Sequence, residues 1–302
     1  MKSKICSSEY VRTVSRGKSW IPAFLSLGFF LAFPVALLLV VGNWKAARYT
    51  PDQLHLLYEG LWKEKLVFTG GAITIVAAIM NSINGFSYVY SRKKVDFYHS
   101  LPVKRSRMFW NRVYTGLLYY LVPYMIMEFF AVCIGAAKGF FSLKLMELAA
   151  RLLLVHLLLY FLFYFSIVLV FCVTGNFLMG VLCLAGMQLY GPALGILMSF
   201  CAYGFFDTFS SNYPYGIFKA LEDYASPITL TAAFWQKYEA GQGAALAAVL
   251  FVLTLIFTAV SYFAYIHRPS EAAGKPMVYG KLAAVIKFMV VVPCGMGDRK
   301  ST

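Results

Sequence analysis

The chain has 302 residues, of which 60% are hydrophobic and 13% charged, and it carries a net charge of +14. A soluble domain is closer to half apolar and about a quarter charged, so water is excluded as the main solvent. In lipid the backbone must satisfy itself, and uninterrupted apolar runs point to helices rather than barrel strands.

The basic excess does not point to nucleic acid, because Lys and Arg cluster at the ends of apolar runs, the pattern set by membrane orientation and anionic headgroups. The cysteines are Cys6, Cys133, Cys172, Cys183, Cys201 and Cys294. None forms a Cys-x-x-Cys pair, so neither a metal site nor a disulfide framework is indicated. The expected fold class is an all-α integral membrane protein.

Residues 1–20 form a basic N-terminal segment with Lys2, Lys4, Arg12, Arg16 and Lys18. Gly17-Lys18-Ser19 resembles the end of a P-loop, but Arg12 stands where that pattern needs its first glycine. The apolar run that follows is longer than a cleavable signal's and reads as a retained anchor. A span needs about 20 apolar residues. Six such spans are predicted at 21–41, 67–90, 113–136, 148–173, 177–205 and 245–266, forming one transmembrane domain over 21–266.

With the N-terminus cytoplasmic, the inside segments 1–19, 91–112 and 267–281 hold 15 Lys and Arg, against 8 in 43–65, 137–150 and 206–244. That excess favours the N-in orientation. Trp20, Trp44, Trp62 and Trp110 fall near span ends, where an amphipathic ring prefers the headgroup region. The Thr174-Gly175-Asn176 turn predicts an antiparallel hairpin of spans four and five. Segment 206–244 is a long extracytoplasmic loop in which short interfacial helices are expected. Residues 267–302 form a cytoplasmic segment and an incomplete hydrophobic tail. Within it, 282–297 reads as a truncated seventh span or a helix lying on the membrane.

The intramembrane polar residues are few: Asn81, Asn84, Glu128, Arg151 and His156. Glu128 and His156 each lie about eight residues from the outer ends of spans three and four, roughly 12 Å deep at 1.5 Å per residue. If those spans are antiparallel neighbours, the two side chains can pair, either as a clasp between helices or as part of a proton path. Gly135 with Gly139, and Gly191 with Gly195, are Gly-x-x-x-Gly patterns, the second read as packing within one subunit. No catalytic motif is present, so the chain is not expected to be an enzyme, and energy coupling would have to come from a partner.

Loop 91–112 is the most distinctive stretch. It carries Arg92, Lys93, Lys94, Lys104, Arg105, Arg107 and Arg112, opposed only by Asp96. These charges hold the loop to the cytoplasmic membrane lip. Inside them lies an apolar patch of Val95, Phe97, Tyr98 and Leu101. Two helical turns over 94–100 would put Val95, Tyr98 and Leu101 on one face. Ser100 is expected to cap the next helix, with Pro102 in its first turn. The loop is either an orientation anchor with incidental apolar residues or a docking element for a cytoplasmic partner.

These residues resemble a known family. Six spans with an N-in start, and Val-Asp-Phe-Tyr-His-Ser-Leu-Pro-Val-Lys-Arg at 95–105, are similar to permease subunits of ABC-2 type transporters, in particular a subgroup from Firmicutes. Arg-Pro-Ser-Glu-Ala-Ala-Gly-Lys at 268–275 resembles the same subgroup. The resemblance implies a coupling helix between spans two and three that docks on an ABC ATP-binding subunit. It assigns contacts to Val95, Asp96, Tyr98, His99, Leu101 and Pro102. It makes 5–18 an interfacial connecting helix, although Ser7, Ser8, Ser15 and Gly17 are poor helix formers. It further implies a second permease subunit, identical or sister, in a bacterial cell membrane, with ATP and Mg bound only by the partner and no cofactor in this chain. Two other readings stay open: a proton-coupled carrier using Glu128 and His156, and a membrane scaffold or sensor.

Overall fold

The structure is a computed structural model and describes residues 20–44, 50–205, 220, 223–239 and 241–280. The expectations for 5–18 and 282–297, and for the start of the long loop at 206–219, lie outside the described residues. The chain is an all-α multi-pass membrane protein. Six helices are long and apolar enough to cross a membrane: α1 (Trp20–Gly42), α2 (Asp52–Tyr90), α4 (Arg105–Ala137), α5 (Leu143–Val173), α6 (Phe177–Ala202) and α8 (Ala244–Ile266). Two shorter helices, α3 (Arg92–His99) and α7 (Pro227–Glu239), follow α2 and α6. Among the described residues the one β feature is an isolated antiparallel bridge between Thr174 and Met277.

Three spans begin five or more residues earlier than the hydropathy predicts, α2 most of all. Its start is set by a capping box, with Thr50 accepting from the Gln53 amide, Gln53 accepting from the Thr50 amide, and Pro51 in the first turn. Residues 51–65 of the predicted outside segment are therefore helical. Lys63, Glu64 and Lys65 interrupt the apolar run, yet the helix passes through them as a π-helical turn, Leu61–Lys65. The three charged side chains are exposed while Leu61, Trp62 and Leu66 are buried. A second π-helical turn, Leu31–Val35, surrounds Pro34 in α1, where the ring removes a helical donor. Helix α4 ends at Gly139, whose φ of +85° suits glycine, and Ser142 caps α5 by accepting from the Leu145 amide.

Helix α5 is the most enclosed span and packs on α2 and α8. Helices α1 and α4 pack together, and α2 lies against both α4 and α5. Helix α6 is the least enclosed. It packs against α5 through the short turn at 174–176, as expected for the hairpin. Gly191 of α6 lies against Ala225 of the same chain, so this glycine serves internal packing.

Helices gain little hydrophobic drive from meeting in lipid, so close packing and buried polar contacts hold the bundle. Asn81 donates to the Gly116 carbonyl at 3.0 Å and to the Tyr160 hydroxyl at 3.3 Å, joining α2, α4 and α5. Ser261 of α8 donates to the Phe165 carbonyl at 3.1 Å. Such bonds contribute about 0.6 kcal/mol each. Between them runs a column of rings, with Tyr120 stacked on Tyr160 at 4.2 Å and Tyr124 edge-on to Phe29 and Phe33 at 5.2 Å.

Candidate functional site

The ends of α2, α5 and α8, the start of α4 and all of α3 gather on one side of the bundle. This side carries the basic loop. Helix α3 is held there by three contacts with different parts of the chain. Val95 is buried in the bundle core. The Tyr98 ring meets the Tyr88 ring edge-on at 4.9 Å. Arg92 Nε donates to the Ala273 carbonyl at 3.0 Å, in the segment after α8.

The seven basic residues divide into two groups. Lys93, Lys94, Lys104 and Arg107 are exposed, as surface anchors would be. Arg92, Arg105 and Arg112 turn their guanidinium groups onto the chain itself. Arg105 donates to the carbonyls of Ile266 and Arg268 at 3.1 and 2.9 Å. Arg112 is 2% exposed, so its expected place at the membrane lip is corrected. It donates to the Gly85 carbonyl and lies over the rings of Tyr88 at 3.8 Å and Tyr98 at 4.6 Å. Planar, delocalised arginine suits such stacked and forked positions.

The docking residues implied by the resemblance divide in the same way. Val95, Tyr98 and Leu101 do share a face, but that face points inward. Leu101 and Tyr98 pack with Val103 around Met108. His99 is half-buried and its Nδ1 makes no hydrogen bond. Burial, then the charge of Arg105, lowers its pKa from the ordinary 6.5. Asp96 and Pro102 are exposed. Lys93, Asp96 and Ser100 stand at i, i+3 and i+7 and form an exposed ridge on the side of α3 away from Val95. Ser100 does not cap the next helix. It closes α3, donating to the Phe97 carbonyl at 2.8 Å, and α4 begins at Arg105 after Lys104, because Leu101–Val103 intervene.

No residue pattern pointed to the structural role of Arg268. It is 6% exposed and its Nη1 donates to the carbonyls of Phe171, Cys172 and Thr174 at 2.7–2.8 Å. Its Nη2 reaches the Val89 carbonyl at 3.2 Å. The last carbonyls of a helix lack partners and carry partial negative charge, so a cation here satisfies both needs of α5. The chain after Arg268 then crosses the α5–α6 turn, with Gly274 donating to the Gly175 carbonyl at 2.7 Å and Val278 to the Val173 carbonyl at 2.8 Å. Loop, turn and tail thus form one hydrogen-bonded block with the ends of α2, α5 and α8.

Within the spans, Glu128 and His156 do not form the expected pair. The α4 and α5 backbones come close at few points, but their side chains meet, and His156 takes Tyr124 of α4 in place of Glu128. His156 instead lies 2.8 Å from the Tyr124 hydroxyl through Nδ1 and 2.9 Å from the Val67 carbonyl through Nε2. A carbonyl only accepts, so Nε2 carries the proton and Nδ1 accepts from Tyr124. Glu128, one turn further along α4 from Tyr124, is buried and its Oε1 has no hydrogen-bond partner. Arg151 is exposed and pairs with Glu147 at 2.7 Å. Among the described residues no three His, Cys, Asp or Glu side chains converge as metal ligands would.

No family model, curated protein or solved structure matches this chain.

Proposed function

We propose that the chain is the membrane-spanning subunit of an ABC transporter of the ABC-2 type, with α3 as its coupling helix. The observation that carries this reading is the two-sided build of α3. One side, Arg92, Val95 and Tyr98, is locked to α2 and to the tail after α8. The other, Lys93, Asp96 and Ser100, is exposed. A helix that receives force from a soluble partner needs both: a free surface to be pushed and rigid attachment to the spans that must move. A loop serving only to fix orientation needs neither the buried Val95 nor the Arg92 bond.

In this reading the basic face is cytoplasmic, in a bacterial cell membrane. Two ATP-binding subunits, which hold ATP and Mg, dock on the Lys93–Asp96–Ser100 ridge and on Pro102. Their closure moves α3, and the block containing Arg268 passes that motion to the ends of α2, α5 and α8. A second permease subunit, identical or sister, completes the path. The substrate is carried between the two permease subunits.

Photo-cross-linking from position 96 or 100 in native membranes tests the docking surface. The reading expects cross-links to a protein with a Gly-x-x-x-x-Gly-Lys-Ser/Thr loop. Cross-links to lipid alone would overturn it.

A further inference from the structure

A cavity of about 340 Å³ opens between α1 and α2, in the half of the bundle away from α3. Ala36, Leu37 and Val40 line it from α1, Leu66 and Phe68 line it from α2, and Glu64 and Lys65 complete the lining. Both π-helical turns border it. Leu31–Val35 leads directly into Ala36, and Leu61–Lys65 contains both charged residues. Turns of this kind are rare and gather at functional sites, and the one in α2 holds no proline to force it. Thr69 ties the two turns together, its hydroxyl donating to the Lys65 carbonyl at 2.9 Å and to the Ala32 carbonyl at 3.4 Å.

The depth of these residues states what kind of occupant fits. A hydrocarbon core takes about 20 helical residues. Counted back along α2 from Tyr90 it ends near Gly70, and counted along α1 from Trp20 it ends near Val40. Ala36 and Leu37 therefore lie at acyl-chain depth and Phe68 at the boundary. Glu64 and Lys65 lie about one turn further out, at the level of headgroups. Phe68 is 70% exposed, so the cavity faces the lipid. Among the described residues neither Glu64 nor Lys65 has an ion-pair partner within 4 Å, each other included, whereas Glu59 is taken by Lys144 at 2.6 Å and Lys63 at 3.8 Å. An anionic head would meet Glu64 as well as Lys65, and like charges repel. A zwitterionic head meets each charge with its opposite. A primary ammonium also donates hydrogen bonds to a carboxylate. A quaternary ammonium has no N–H and is held by aromatic cages, and Phe68 is the one ring among the described lining residues.

We propose that this cavity binds phosphatidylethanolamine in the leaflet away from the basic face, its ammonium on Glu64, its phosphate on Lys65 and an acyl chain between Leu37 and Phe68. The inference rests on the cavity alone and does not depend on the transporter reading. A lipid seated there lies against both π-helical turns, and so bears on how α1 packs on α2 at the far end from α3.

The test is native mass spectrometry of the purified full chain with phosphatidylethanolamine, phosphatidylcholine and phosphatidylglycerol of the same acyl chains at equal concentration. The wild type should retain phosphatidylethanolamine over the other two. Glu64→Gln keeps the side chain's shape but removes its charge, and should abolish that preference and raise retention of phosphatidylglycerol. Lys65→Gln should lower retention of all three, since the phosphate is common to them. Both positions are exposed, so the variants should fold. Glu147→Gln removes equal charge from the same side of the bundle but outside the cavity, and should leave the preference in place. Equal retention of phosphatidylethanolamine and phosphatidylcholine by the wild type, a preference that survives Glu64→Gln, or equal loss in Glu147→Gln would overturn the site. A further arm adds phosphoethanolamine, the soluble head, at the lipid's concentration. Displacement of the lipid by it would show a site for the free head and overturn the lipid assignment, while continued retention supports it.

Discussion

The hydroxyl of Tyr124 lies 2.8 Å from Nδ1 of His156, in the centre of the spans. That bond, with the Val67 carbonyl on Nε2, uses both ring nitrogens and leaves none for Glu128. Tyr124→Phe removes one partner and leaves a buried acceptor unmet, at a cost of about 1–3 kcal/mol. Thermal unfolding in detergent should show a lower midpoint. Glu128→Gln replaces a buried carboxyl that lacks a partner on Oε1, so it should be neutral or stabilising, and under the proposed transporter reading it should leave substrate flux intact. Loss of transport with unchanged folding would favour the proton-coupled reading.

Gly70 allows the close approach that places His156. A Cβ at this position would stand 2.6 Å from His156 Cε1 and 2.7 Å from Phe33 Cε1. Gly70→Ala must push both rings, and overpacking of this kind costs about 1–3 kcal/mol. The same unfolding assay should place this variant below the wild type, with Gly60→Ala, where nothing lies within 4 Å, close to it.

Arg268 supplies donors to four carbonyls at the ends of α2 and α5. Arg268→Ala leaves them buried without that donor and should cost at least about 2 kcal/mol. Arg268→Lys should recover only part, because a point ammonium cannot span the fork. Limited proteolysis of 267–280 should follow the order wild type, Lys, Ala in increasing rate.

His99 gives the basic face a pH dependence of known sign. Burial and Arg105 disfavour the protonated ring, with Asp96 opposing them, and the folded pKa lies below the ordinary 6.5. As pH falls through 6.5 the unfolded chain takes up the proton first. Stability is therefore present above that pH and lost below it. The unfolding midpoint should drop on acidification from about pH 7.5 to about 5.5, and His99→Gln should reduce that drop.

The six spans were legible because each is an apolar run with basic or aromatic ends, a signal that composition carries by itself. The early start of α2 was not, since Lys63, Glu64 and Lys65 broke the run and only the Thr50–Gln53 capping box marks the helix. Helix α3 was legible as an amphipathic turn, but which side faced inward was not, because Val95, Phe97, Tyr98 and Leu101 cover more than one face. The roles of Arg92, Arg105, Arg112 and Arg268 were hidden for a single reason. Their partners are backbone carbonyls and aromatic faces, and no residue type announces those. The expected Glu128–His156 pair failed because Tyr124, one turn away on the same helix, takes the His156 ring, a register that hydropathy leaves open.

The central claim is that the exposed ridge of α3 docks an ATP-binding subunit. The most direct measurement is mild-detergent co-purification of the tagged full chain from its native membrane, comparing wild type with Asp96→Arg and Pro102→Trp. Both positions are exposed, so the variants should insert and fold. The account predicts that an ATPase with a Gly-x-x-x-x-Gly-Lys-Ser/Thr loop follows the wild type and is lost from both variants. Purification of the wild type without any ATPase, or equal recovery with all three, would contradict it.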